Sequence, residues 1–241
     1  MQPISNSQVA VVNYLDGSHL TNLILVPTPM EMEQLQEVLD PPKHTDIAMQ
    51  LCGFGPIAAA ARAGNLISRY QPERVLLVGI AGTFDAIRYP VGSAHRFTQT
   101  CCDGIGVGTG DSFISASQLG WNQFEGADAQ PEIGDTLPLD SGFVNGIRAS
   151  GTLLTCCSAS DSAAAAAARR KRFPDANAED MEGYAVAMAC NLAGIPLQIV
   201  RGISNEVGDR NREAWEIEKG LQAAAELATK LMHRAWLPSP S

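Results

Sequence analysis

The stretch Glu179-Asp-Met-Glu-Gly-Tyr-Ala-Val-Ala-Met-Ala189 sets carboxylates at the mouth of a run of small, mostly apolar residues that reads as a buried helix. A carboxylate in such a place must be hydrogen-bonded, or it takes up a proton. Glu182 therefore reads as a group that grips a polar ligand, with a structural ion pair as the competing role. A second segment, Leu197-Gln-Ile-Val-Arg-Gly-Ile-Ser-Asn205, reads as an apolar strand ending in small and polar residues. Ligands of α/β proteins commonly bind at such strand ends. Asn205 can donate through its amide nitrogen and accept at its oxygen, or it can cap a following helix. Near the first strand stand two more carboxylates, Glu31 and Glu33. Either could be a solvated helix-face carboxylate.

Gly53-Phe-Gly55 precedes a helix and invites comparison with a phosphate cradle. It completes only part of G-x-G-x-x-G, because Ala58 stands at the third position. No acidic residue ends a following strand where a ribose would need it. A tight turn that lets backbone approach a neighbour is the stronger reading.

The elements that must position these residues follow from the hydrophobic pattern. Leu23-Ile-Leu-Val26 reads as a strand ended by Pro27-Thr-Pro29, and Met30 to Leu39 as an amphipathic helix with Met32, Leu35, Val38 and Leu39 inward. Pro56 opens an Ala-rich helix through Tyr70. Arg74-Val-Leu-Leu-Val-Gly-Ile80 is a near-continuous apolar strand that breaks into Ala81-Gly82-Thr83. Residues 85–150 are Gly- and Pro-rich and predict short strands with a loop-built wall. Gly151 to Cys157 reads as a strand and Asp161 to Arg172 as a helix whose basic end, Arg169-Arg-Lys-Arg172, is solvated. Met181 to Leu192 forms a helix ended by Gly194, and Pro196 opens the next strand. A last helix runs from about Asn211 to Trp236, with Trp215, Leu221, Leu227 and Leu231 inward. The alternation predicts an α/β fold, a mixed central sheet flanked by helices. A polar extension over residues 1–20 precedes one domain over 21–237.

Composition narrows the class. The chain has 241 residues, 45% hydrophobic and 18% charged, an ordinary globular balance. A net charge of −9 repels phosphate backbones, so no nucleic-acid partner is expected. No window approaches the roughly 20 apolar residues of a membrane span, and Met1 to Ser18 has no signal-peptide pattern. The six cysteines form no C-x-x-C pair and read as reduced, buried thiols of a cytoplasmic protein. No metal-ligand spacing is present, and the four histidines lack a G-x-S-x-G partner.

Five fragments occur together in order: Val26-Pro-Thr-Pro-Met-Glu31, Cys52-Gly-Phe-Gly-Pro-Ile-Ala-Ala-Ala60, Leu77-Val-Gly-Ile-Ala-Gly82, Glu179-Asp-Met-Glu-Gly183 and Val200-Arg-Gly-Ile-Ser-Asn205. The set resembles the nucleoside phosphorylase/nucleosidase superfamily from residue 23 to residue 235. The resemblance implies a sheet that is partly barrel-like, a purine nucleoside as the small-molecule substrate, no cofactor, and a homo-oligomer with a dimer as its minimal unit. It also implies roles. Glu182 would grip the ribose hydroxyls, Met181 would lie against the sugar, and backbone of Ile80, Ala81 and Gly82 would flank the ribose and the attacking water. A glutamate after the first strand would orient that water. The Glu31-Met-x-x-Leu35 pattern favours Glu31, and an ungapped count from the strand favours Glu33.

Where adenine-specific members carry an aspartate, this chain has Asn205, whose donor and acceptor match the O6 and N7–H edge of hypoxanthine. The segment Gly79 to Phe84 offers an anion only Thr83, which favours water over phosphate as acceptor, with Arg88 and Arg201 able to enter from elsewhere. Asp111-Ser-Phe113 and Trp121 would contact whatever extends from the ribose 5′ end. Phosphate-dependent cleavage, adenine cleavage and a non-catalytic nucleotide-binding module stay open as alternatives.

Overall fold

The computed structural model describes residues 22–42, 46–126, 132–142, 144 and 146–235; the expected N-terminal extension lies outside them. The first half contains β1 (Asn22–Val26), α1 (Pro29–Val38), β2 (Ile47–Leu51), α2 (Pro56–Tyr70), β3 (Arg74–Thr83), β4 (Ala94–Arg96) and β5 (Gln99–Asp103). A small hairpin of β6 (Gly106–Val107) and β7 (Ile114–Ser115) follows, then β8 (Thr136–Pro138), β9 (Thr152–Cys156) and α3 (Ala163–Arg172). The chain continues through β10 (Ala176–Asp180), α4 (Gly183–Leu192), β11 (Leu197–Glu206) and α5 (Ile217–Ala235). Among the described residues no helix is long and apolar enough to cross a membrane.

Successive side chains of a strand point to opposite faces, and the central strands use both. Leu23, Leu25, Val75 and Leu77 join one buried cluster with Ala59, Ala63 and Leu66 of α2 and Val186 of α4. Their neighbours Ile24, Val26, Leu76 and Val78 join a second cluster with Leu35 of α1 and Leu221, Ala224, Ala228 and Leu231 of α5. Each fully buried Leu, Ile or Val contributes about 1.5–3 kcal/mol relative to exposure, so the sheet is held from both sides. The fold is the mixed sheet flanked by helices that the alternation predicts.

Local chemistry explains the helix starts. Thr28 caps α1, accepting a hydrogen bond from the Glu31 amide, and Pro29 takes the first turn. Gly55 precedes α2 with φ +81°, and Pro56 begins the helix. The close packing of α5 on β11 depends on two glycines, since a Cβ on Gly202 would stand 1.9 Å from the Gly220 carbonyl oxygen.

β3 organises the site. One edge pairs in parallel with β11 along its length. The other edge is shared: β1 pairs with Arg74 to Leu77, and β10 pairs antiparallel with Gly82 and Thr83. Between them the strands diverge, and Val78 to Ala81 have no strand partner on that edge. The sheet also curls back on itself, because β11 pairs with β4, β5 with β9, and β9 with β10. That circuit, closed through the link between β4 and β5, is the barrel-like part.

Several local expectations are corrected. β3 continues as strand through Thr83 rather than breaking at Ala81. The segment Ala176 to Asp180 is a strand, and α4 begins at Gly183 rather than Met181. α5 starts at Ile217, which leaves Trp215 in the loop before it. Val38 is exposed and so is Cys157, whereas the other five cysteines are buried thiols. Of the basic helix end, Arg170 and Lys171 are exposed as expected, but Arg169 and Arg172 are partly buried: both pair with Asp103, and Arg169 also reaches Glu179.

Candidate active site

A cavity of about 380 Å³ opens where β1 and β10 diverge along β3, a size typical of small-molecule sites. Its lining brings together Ile80, Ala81, Gly82, Met181, Glu182 and Asn205, and it includes Glu31. These are the residues singled out from the sequence, with one exception. Glu33 is exposed on α1 and does not reach the cavity. An α-helix turns about 100° per residue, so residues two apart face nearly opposite sides, and only Glu31 of the two points inward.

Glu31 is 3% exposed. One of its oxygens accepts from the Ile80 amide at 3.0 Å and the other from the Thr28 hydroxyl at 2.6 Å. The Ile80 N–H belongs to the stretch of β3 left without a strand partner, so the carboxylate completes the sheet edge and is fixed by it.

Glu182 stands at the N-cap position of α4 and accepts from the Gly55 amide at 3.0 Å. The glycine turn of Gly53-Phe-Gly55 thus gives its backbone donor to a carboxylate of this protein, the close-approach role expected for it. The second oxygen of Glu182 accepts from Arg201 at 3.3 Å.

Arg201, on β11, is fully buried. Its Nε and Nη2 both donate to Asp180, at 3.1 and 2.5 Å. Asp180 also accepts from the Thr155 hydroxyl and the Gly183 amide. Burial works against the Arg201 charge, but Asp180, Glu182 and Glu31 outweigh it and hold the guanidinium more firmly protonated than usual. Burial pushes the Glu182 carboxyl up to about 7, with Asp180 and Glu31 adding to the rise and Arg201 and the Gly55 amide opposing it. Arg201 Nη1 has no partner among the described residues. It lies above Gly79, where a Cβ would meet it at 2.3 Å and Glu31 Oε1 at 2.8 Å. Gly79 is therefore the residue that lets these two groups approach the same point.

Asn205 follows an irregularity in the pairing of β11 with β3, where Ile203 faces Ala81 but Asn205 faces Gly82. Such a bulge re-aims the side chain beyond it. The Asn205 oxygen accepts from the Ser204 hydroxyl at 2.7 Å and its nitrogen donates to the Glu206 carbonyl at 2.8 Å. It does not cap the next helical turn, which Asn211 caps instead.

Of the arginines considered from the sequence, Arg88 is exposed and away from the cavity, and Arg201 is held by carboxylates. Phe113 and Trp121 do not line the cavity, and the Asp111 side chain lies outside the described residues. The lining contains groups to which the sequence analysis gave no role in the site: Glu179, Ser160, Arg210, Arg212, and Trp215 as a wall residue. Glu179 accepts from the Ser160 amide and hydroxyl and from Arg169. The Arg-x-Arg spacing within the polar segment after Asn205 was the available signal for the two loop arginines.

Known proteins match most of this framework. A family model described as "Phosphorylase superfamily" matches residues 39–236. The futalosine hydrolase of Streptomyces coelicolor is 35% identical over 193 residues, covering 77% of this chain and 79% of the relative. A 5'-methylthioadenosine/S-adenosylhomocysteine nucleosidase of Glaesserella parasuis is 29% identical over 192 residues, covering 78% and 80%. The structure of futalosine hydrolase from Helicobacter pylori superposes with a TM-score of 0.69 at 17% identity, covering 89% of this chain and 98% of that one. With a family match over most of its length, the fold it requires and a close sequence relative within it, the chain belongs to the phosphorylase superfamily.

Proposed function

We propose that the protein hydrolyses the N-glycosidic bond of a purine nucleoside, and that the nucleoside is futalosine, cleaved to hypoxanthine and dehypoxanthine futalosine. The resemblance implies a place for that step in menaquinone biosynthesis. The observation that carries the reading is the convergence of Glu31, Glu182 and Asn205 on one cavity. Nucleosidase names among the relatives support the reaction class, and futalosine hydrolases among them support the substrate.

The chemistry follows from what each group can still do. Breaking the bond between C1′ and N9 leaves positive charge on the sugar and sends the electron pair into the base. Each Glu31 oxygen has one further acceptor position beyond its present bond, enough to orient a water and take its proton. Arg201 Nη1, a buried donor with no partner among the described residues, lies near Glu31 Oε1 at Gly79 but outside the cavity lining. Ionised Glu182 accepts the ribose hydroxyls and stabilises the cationic sugar. Asn205 retains one N–H and one lone pair: the N–H donates to O6, where the departing base gathers negative charge, and the lone pair accepts from N7–H once solvent has protonated the base. With the Asn205 N–H held toward position 6, an adenine amine meets it donor to donor, the kind of mismatch that costs a polar site dearly.

Water is favoured over phosphate by charge. Glu31, Asp180 and Glu182 line the cavity, while Arg201, the cation paired with two of them, is fully buried outside the lining, so a phosphate dianion beside these carboxylates meets net negative potential. Incubating the protein with futalosine and inosine in phosphate-free buffer, with chromatography of the free base, tests the reading. Hypoxanthine release without phosphate supports it; release that requires phosphate and yields a sugar 1-phosphate removes it. The homo-oligomer belongs to the same reading, and a single-subunit mass by light scattering would remove that part.

A further inference from the structure

Part of the cavity wall, at Ala159 and Ser160, lies between elements. β9 ends at Cys156 and α3 begins at Ala163. Among the described residues, Ser158, Ala159 and Ser160 take part in no backbone–backbone hydrogen bond. Loop backbone without such bonds is mobile by default. This stretch nevertheless lines the same cavity as Glu31, Glu182 and Asn205, so side chains must set its position.

Two of them do. Glu179, on β10, accepts from the Ser160 amide at 2.8 Å and from the Ser160 hydroxyl at 2.7 Å, one bond to each carboxylate oxygen. Arg169, on α3, donates from Nη1 to the Ser160 hydroxyl and to Glu179, both at 2.7 Å. Its Nη2 donates to the Ser158 carbonyl at 2.7 Å, and its Nε to Asp103, at the end of β5, at 2.8 Å. One guanidinium thus joins both ends of residues 158–160 to β10 and β5. Its planar fork holds these bonds in a single geometry that a lysine ammonium does not reproduce. It also offsets the charge of Glu179, in a lining that already carries Glu31, Asp180 and Glu182.

Arg172, one turn further along α3, provides the contrast. It pairs with the same Asp103 at 2.8 Å, and its guanidinium sits 5.7 Å from the Phe113 ring centroid. Among the described residues it makes no hydrogen bond to the wall or to Glu179.

We propose that Arg169 is a positioning residue for the substrate cavity: it clamps residues 158–160 against Glu179, so the wall is in place before a ligand arrives and binding does not have to order it. This rests on the hydrolase reading above, which makes the cavity the nucleoside site. Glu31 and Glu182 have other hydrogen-bond partners, Thr28, Ile80, Gly55 and Arg201. Loss of the clamp therefore falls on binding rather than on the chemical step.

Arg169→Met, Arg169→Lys and Arg172→Met are compared with wild type on futalosine in phosphate-free buffer. In Arg169→Met, KM rises at least about tenfold with kcat within about threefold of wild type; Arg169→Lys lies between, and Arg172→Met stays within about twofold on both. A KM within about twofold of wild type in Arg169→Met overturns the clamp, and so does a loss confined to kcat. An equal KM rise in Arg172→Met overturns it too, by assigning the effect to the shared Asp103 pairing. If Arg169→Met does not fold, Ser160→Ala carries the test: removing the hydroxyl link raises KM at least about threefold, or the clamp is wrong. If wild type cleaves no nucleoside, the hydrolase reading fails on its own, and hydrogen–deuterium exchange over residues 157–162 decides the clamp. The Ser160 amide then exchanges at least about tenfold faster in Arg169→Met than in wild type and Arg172→Met, and equal rates overturn the proposal.

Discussion

Replacing Arg201 by Met keeps the side chain long and removes its charge. Arg201 is 0% exposed and supplies two of the four hydrogen bonds to Asp180 and one of the two to Glu182. Removing one partner from a buried ion cluster leaves uncompensated charge and typically costs about 3–5 kcal/mol. In a chain of this size, each kcal/mol shifts Tm by about 2–4 °C. The Thr155 hydroxyl and Gly183 amide still serve Asp180, and the Gly55 amide still serves Glu182, so the main response is that Glu182, already raised by burial, binds a proton. That response fixes the sign of the pH dependence. In the variant Glu182, already raised by burial to about 7, loses the Arg201 charge that opposes the rise, so its folded-state value moves further above its unfolded one. The stability that accompanies its protonation is then present at low pH and lost as pH rises through that folded value. The difference between wild type and variant is therefore small near pH 5 and largest near pH 8. Urea unfolding of both proteins at the two pH values measures it. A loss below about 1 kcal/mol, or an equal loss at both pH values, would refute the charge-cluster argument.

The other predictions concern the reaction. Glu31→Gln lowers kcat by about 10²–10⁴, while Glu33→Gln, on the exposed face of α1, stays within about twofold; equal losses in steady-state assays would remove the distinction between them. Glu182, raised by burial to about 7, must be ionised to accept ribose hydroxyls, so kcat/KM falls as pH drops below about 7 and is flat above it, and a profile flat down to pH 5 contradicts the clasp. The same displacement from 4.5 to about 7 corresponds to about 3 kcal/mol at most. It makes the free protein lose stability between pH 5 and 8, a loss that Glu182→Gln abolishes in unfolding titrations. Asn205→Asp lowers the preference for hypoxanthine over adenine nucleosides, and an unchanged ratio of kcat/KM values would take the base edge away from this residue.

Much of the site was legible because its residues sit at ends of strongly patterned elements. The apolar runs Leu23 to Val26, Leu76 to Val78 and Ile199 to Ile203 announce strands buried on both faces, and small residues at their ends announce a pocket. Glu182 stood out because a carboxylate beside an apolar helix demands partners, and the structure supplies two. What was not legible depends on contacts distant in sequence. The strand Ala176 to Asp180 has no apolar run, and it is strand because β9 and β3 pair with it on either side. Glu31 and Glu33 could be separated only by the orientation of α1 against β3. Arg169 reads as part of a solvated basic helix end until Asp103 and Glu179 are brought to it from other strands. Trp215, likewise, fits a helix pattern but is held back in the loop by the Asp209 carbonyl.

A crystal structure with a non-hydrolysable 6-oxopurine nucleoside analogue tests most directly whether one ligand spans the whole cleft. The account predicts ribose hydroxyls within hydrogen-bond distance of Glu182, the base O6 and N7 edge against the Asn205 amide, and C1′ facing Glu31. A ligand whose sugar lies away from Glu182, or whose base makes no contact with Asn205, would contradict it.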